Sequence, residues 1–152
     1  MEIKVTSNTK LLEKLINNLS NEIKVNVGAF GVDEDKAFQA EYGGTAYVPE
    51  LDRVMNIPPR SFLDVPLKEY LPDELRHNLN EKVLLDSPKA IGKQIGKDGK
   101  FIVDVAFDTK GYGKWEENDP EWLAYKQEYG FDERVLHKTG KLAESIDYKV
   151  IE

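Results

Sequence analysis

Two consecutive prolines, Pro58 and Pro59, constrain this chain more than any other feature. They fix two φ angles near about −65° and remove two backbone donors in a row, so the segment cannot be a central strand. Ile57-Pro58-Pro59-Arg60-Ser61-Phe62-Leu63 is therefore expected to be stiff, extended and polyproline-like, within an arm or loop near 44–63. Two uses fit such a segment. As an arm, it would offer Arg60 to a carboxylate or carbonyl of a neighbour and Phe62 and Leu63 to a neighbour's pocket. As an intramolecular crossover, it would pack Phe62 and Leu63 into the chain's own core.

The chain has 152 residues, the size of a single domain, with 40% hydrophobic and 10% aromatic residues, enough to fold around one core. Cysteine is absent, which excludes disulfide scaffolds, thiol catalysis and cysteine-ligated metal centres. The net charge of −7 argues against a sequence-independent duplex binder. That charge is uneven: residues 22–52 carry −5 and residues 110–135 carry −3. Asp33-Glu34-Asp35 and Glu116-Glu117-Asn118-Asp119 concentrate it, either as solvated loops or as docking loops for a basic partner. Neither a signal-peptide pattern nor an apolar run of membrane-spanning length is present, so a cytosolic protein with no membrane partner is expected.

The periodicity predicts an α+β fold with a small mixed or antiparallel sheet packed against about three helices. Strands are expected at 2–6, 22–30 and 145–151, with 45–48 as a possible addition. Helices are expected at 8–19, 67–85 and 89–109. In the first, Leu11, Leu12, Leu15, Ile16 and Leu19 share one face, which reads as core packing. In the second, leucines recur every four residues, with a break or restart near Pro72. Residues 88–110 fit either period: Phe101, Val103, Val105 and Phe107 alternate as a strand would, whereas Ile91, Ile95, Ile102, Val105 and Ala106 form a helical stripe. A Ser87 cap, Pro88 in the first turn and Gly111 as a stop favour the helix. Gly92, Gly96 and Gly99 count against it by about 1 kcal/mol each. On such a helix Lys93, Lys97 and Lys100 would form an outer basic face, either solvated or a phosphate contact.

Trp115 and Trp122 fall in or beside an acidic loop near 110–121, where an indole either plugs the core edge or anchors a partner. Thr139-Gly140-Lys141-Leu142 reads as a turn before a short helical piece and the last strand. Chemistry-bearing motifs are missing. His77 and His137 lie sixty positions apart and read as surface or boundary residues, the calcium-loop and phosphate-loop patterns both fail, and no nucleophile elbow occurs. A non-enzymatic protein without cofactor or metal is expected.

Three motifs in order resemble the tail-completion and head–tail joining proteins of tailed bacteriophages, also called neck or virion morphogenesis proteins. The first is Val27-Gly28 with Ala37, Ala40, Glu41-Tyr42-Gly43 and Thr45. The second is Ile57-Pro58-Pro59-Arg60-Ser61-Phe62-Leu63, similar to that family's IPPRPF signature with Ser61 in place of the last proline. The third is Trp115, Asn118, Pro120 and Lys126, then Leu136, Thr139-Gly140, Leu142, Ser145-Ile146 and Tyr148. Residues 125–135 depart from the threonine-rich segment usual there.

The resemblance implies a virion structural protein at the neck or upper tail, made in the host cytoplasm and acting as a ring, hexameric by analogy. Its implied partners are further copies of itself, connector or neck proteins, and tail-terminator or tail-tube proteins, with DNA at most passing through the lumen. It implies interface roles for Tyr42, Ile57, Pro58, Pro59, Arg60, Phe62, Leu63, Trp115 and Trp122. Thr139, Gly140, Leu142, Ser145 and Ile146 would form a structural motif. Two alternatives stand beside it: a nucleic-acid accessory protein using Lys93, Lys97, Lys100 and Arg60, and a small hydrolase with an unrecognised carboxylate site.

Overall fold

The computed structural model describes residues 9–151; the strand expected at 2–6 lies outside the described residues. The chain runs α1 (Thr9–Ser20), β1 (Lys24–Ala29), α2 (Glu34–Tyr42), β2 (Gly44–Val48), a 3-10 turn (Pro49–Leu51), β3 (Arg53–Ile57) and α3 (Asp64–Asn78). Then follow α4 (Glu81–Leu84), α5 (Pro88–Asp108), α6 (Pro120–Glu128), α7 (Lys141–Glu144) and β4 (Ile146–Ile151). This is an α+β fold, as the periodicity predicts.

Helix α5 is the centre of the molecule. Ser87 caps it by accepting the Ala90 amide at 3.1 Å, with Pro88 in the first turn. Its inner face buries Ile91, Ile102, Val103, Ala106 and Phe107. The three glycines that count against a helix turn out to seat the sheet. Strands β1 and β4 pair antiparallel, Lys24 opposite Ile151 through Ala29 opposite Ile146, and lie directly on the stripe Gly92, Gly96, Gly99. A Cβ on Gly96 would sit 2.1 Å from the Tyr148 ring; one on Gly92 or Gly99 would sit 2.8 Å from Val150 or Val27. The helix-propensity cost is thus offset by close sheet packing that any side chain would prevent.

Three expectations are corrected. Residues 44–48 do not join the β1–β4 sheet; they pair with β3 in a separate antiparallel hairpin, Gly44 opposite Ile57 and Val48 opposite Arg53. Much of the expected arm is therefore hairpin, and the part outside strand and helix shrinks to the few residues from Pro58 to α3, the last of them a bend at Phe62 and Leu63. The helix expected at 67–85 is two helices. Asn80 interrupts it and caps α4 by accepting the Val83 amide at 3.1 Å, while α3 continues through Pro72 without a break. The apolar face of α1 is not core: Leu11, Leu12, Ile16 and Leu19 are all exposed, Ile16 by 57%. The helix is tethered at Asn18, whose amide donates to the Leu84 carbonyl at 2.9 Å.

The main core joins α5 to the loops around it. Phe62, Val103, Ala106, Phe107, Trp115, Val135 and Ile146 form one cluster with Ala40. Phe107 is its aromatic hub, meeting Phe62 at 5.3 Å and Trp115 edge-on at 5.6 Å between ring centres.

Candidate functional site

The Pro-Pro segment is held inside the molecule by three side chains far apart in sequence. Glu41, on the inner face of α2 and buried, accepts four hydrogen bonds. They come from the Ser61 hydroxyl (2.6 Å) and the amides of Phe62 (2.8 Å), Leu63 (3.0 Å) and Asp64 (2.9 Å). The Asp64 amide opens α3, Leu63 is its cap and Phe62 leads into it, so one carboxylate holds the approach to the helix and adds charge where the helix dipole favours it. Arg60 donates from Nε to the Glu116 carbonyl (2.9 Å) and from a terminal nitrogen to the Glu117 carbonyl (2.8 Å). The Trp115 indole completes the clasp by donating to the Ser61 carbonyl at 3.0 Å.

Of the two uses open to Phe62, the structure has the intramolecular one: the ring is 1% exposed and packed on Phe107. Arg60 and Trp115 are buried as well, and Ile57, Pro58 and Leu63 are half-buried. These side chains serve the fold of the single chain, which leaves Pro59 and Tyr42 as the exposed members of the expected interface set. Gly43, at φ 74°, explains the glycine pair after Tyr42, because a Cβ there would sit 2.7 Å from the Ile57 carbonyl.

Trp122 is half-buried and contributes to an internal cage. The Lys138 ammonium lies 5.2, 5.5 and 4.9 Å from the ring centres of Trp122, Tyr125 and Phe131 and pairs with Glu50 at 2.8 Å. Residues 125–135 thus supply cage and core, with Val135 fully buried. Gly140, at φ 75°, precedes α7; Ser145 closes that helix through its hydroxyl on the Leu142 carbonyl (2.6 Å), and Ile146 enters the core. Thr139 is exposed.

Surface apolar groups cluster elsewhere. On the hairpin, Thr45, Tyr47, Val54 and Asn56 share the outer face, with Tyr47 opposite Val54 and Val54 66% exposed. Phe38 and Tyr42, in mutual ring contact at 4.7 Å, are exposed on α2 immediately before the hairpin. On α1, Leu11, Leu12 and Leu15 line an apolar groove of about 430 Å³ with Leu84 and Leu85.

A larger cleft of about 800 Å³ lies between the start of α2, the 136–145 turn and α6. Arg60 and Lys126 line it, and both are buried. Lys126 is 1% exposed and donates to the Arg134 carbonyl at 2.9 Å. Burial pushes both cations below their ordinary pKa, against the opposing pull of Glu116 and Glu117 on Arg60 and of Asp132 on Lys126.

Part of each acidic segment is engaged within the chain, while Glu34, Asp35 and Glu116 are exposed. Asp33 caps α2, accepting the amides of Asp35 (3.0 Å) and Lys36 (3.2 Å). Glu117 pairs with Lys110, and Asp119 and Glu121 both pair with Arg53. Of the basic face on α5, Lys93 and Lys97 are exposed, whereas Lys100 pairs with Asp104 at 2.6 Å. His77 is exposed, but His137, expected at the surface or boundary, is buried, with Nδ1 2.8 Å from the Val135 carbonyl and its ring edge-on to Phe107. Among the described residues, no three His, Asp or Glu side chains form a metal-binding group, and no helix is long and apolar enough to cross a membrane.

The sequence offered a weak sign of Glu41's role: it shares the spacing of Ala37 and Ala40, a carboxylate on an otherwise small, inward face. Phe38, Tyr47 and Val54 carried no such sign, because exposure depends on how the hairpin is placed. Compared with known proteins, the chain matches no family model, no curated protein and no solved structure.

Proposed function

We propose that this chain is a non-enzymatic structural protein of a tailed-phage virion, which joins head to tail or completes the upper tail by forming a ring. The observation that carries this reading is the exposed aromatic and apolar surface on α2 and the outer face of the hairpin: Phe38, Tyr42, Tyr47 and Val54. A folded monomer gains little by leaving adjoining large apolar groups in water, and such groups mark contact surfaces. The order of the Glu41, Ile57-to-Leu63 and Trp115 motifs supports the family resemblance in a second way. They meet in one buried clasp, so the motifs would preserve a shared scaffold while the outward surface selects the partner.

Co-expression with connector and tail proteins, followed by electron microscopy of particles made with and without this chain, tests the reading. The expected result is a ring, or a bound partner, and unjoined heads and tails or tails of abnormal length when the chain is missing. A strict monomer that never enters particles would sink the proposal. The nucleic-acid alternative keeps only Lys93 and Lys97 of its four residues on the surface and unpaired among the described residues, since Lys100 pairs with Asp104 and Arg60 is buried, and a steep loss of DNA binding with salt is the result that would favour it.

A further inference from the structure

The two buried cations of the cleft point to something the assembly reading does not include. Burying a charge is costly unless it is paired, and a buried guanidinium or ammonium is most often met by a carboxylate. Here Arg60 and Lys126 are held only by backbone carbonyls, and neither forms an ion pair among the described residues. Both line one concave space, and the field there is reinforced by Lys36 and Lys141 on its wall. Lys138 also borders it but is already matched by Glu50. Two carboxylates face the same space: Asp33, committed to capping α2, and Glu144, which is exposed. The lining of this cleft thus sets five cations against two carboxylates, in a chain of net charge −7, while Glu116, Glu117 and Asp132 act on the two buried cations from outside the lining.

We infer that this cleft is an oxyanion-binding site, in which Arg60 and Lys126 receive a carboxylate or phosphate group through donors that the backbone carbonyls leave free. Arg60 presents a planar fork with five donors, of which two are used, and Lys126 has three, of which one is used. Phe30, Val32 and Leu142 give the cleft apolar walls, so the group it takes is carried on a partly apolar body. The cleft holds about 800 Å³, and Arg60 and Lys126 are the buried members of its lining. This favours a single inserted group over a nucleic-acid backbone lying across it. The inference does not depend on ring formation.

Titration of the full chain with inorganic phosphate and, separately, with glutarate, at constant ionic strength, tests it by following the Lys126 side-chain NMR signal. Saturable binding of at least one probe is expected, with the Lys126 titration moving upward on binding, a change that a purely structural lysine would not show. Saturation with phosphate alone assigns a phosphate-bearing ligand; saturation with glutarate alone assigns a carboxylate; both together support the shared oxyanion site. Lys126→Met, which keeps the apolar stem, is expected to lose at least about tenfold in affinity. If that variant does not fold by circular dichroism, the rim double variant Lys36→Gln/Lys141→Gln is expected to weaken binding several-fold. No saturation with either probe, or wild-type affinity in a folded variant, overturns the site.

Discussion

The clasp around the Pro-Pro segment and the hairpin beside it use similar residue types to opposite ends. In the clasp, aromatic and charged side chains are turned inward, and each polar atom that binds the segment has a stated partner: Glu41 with four donors, Arg60 with two carbonyls, Trp115 with one. On the hairpin and α2, Phe38, Tyr42, Tyr47 and Val54 face solvent. The contrast teaches that a recognisable motif need not be the contact surface. Polar networks in a buried place specify a unique arrangement, whereas surface apolar groups are free to change with the partner.

Mutations can break this contrast or sharpen it. Phe62→Ala should have the largest effect, a loss of about 3–5 kcal/mol in guanidinium unfolding, because it empties a fully buried site against Phe107. Glu41→Ala should cost about 3 kcal/mol in the same measurement by stranding three amides and a hydroxyl at the start of α3. Gly96→Ala sets about 1 kcal/mol of helix propensity against overpacking on Tyr148, and overpacking should win by about 1–2 kcal/mol. A gain in stability there would show that the sheet yields easily.

The paired change Tyr47→Ser/Val54→Ser should move stability by no more than about 1 kcal/mol. It should nevertheless reduce self-association in light scattering, the outcome that separates contact surface from core. Smallest of all is Asp132. Its carboxyl, held by the Arg134 side chain and amide, titrates at about 2 in place of the ordinary 3.8. The depressed value means that its contribution is complete above about pH 4 and is lost as pH falls toward 2. Asp132→Asn should flatten that part of an acid-unfolding curve slightly, since the pair is exposed and screened by solvent.

Local signals in the sequence carried much of the architecture. Ser87-Pro88 placed the start of α5, alternation at Ile146, Tyr148 and Val150 placed β4, and the period-two run ending at Phe30 placed β1. Where reading failed, the missing information was long-range. The leucines of α1 obey the spacing of a core helix, but the pattern does not say whether another element is available to cover them. In sequence the glycines of α5 are only a propensity penalty, because the Tyr148 and Val150 side chains that need the space lie some fifty positions away. The clasp was equally hidden: Glu41 meets residues twenty or more positions later, and Arg60 meets carbonyls more than fifty positions later. Pro58 and Pro59 correctly excluded a continuing strand, since β3 ends at Ile57, but stiffness alone could not tell an arm from a strut.

The hairpin also has a dynamic consequence. Two strands alone are marginal in water, and this pair is anchored where its 3-10 turn meets α6 and where Arg53 pairs with Asp119 and Glu121. Its amides should therefore exchange with solvent through local opening, at rates well above those of α5, while the rest of the molecule stays folded. A partner seated on Tyr47 and Val54 would slow that exchange first. Deuterium uptake at residues 44–57 would then report occupancy of the surface even where no new structure forms.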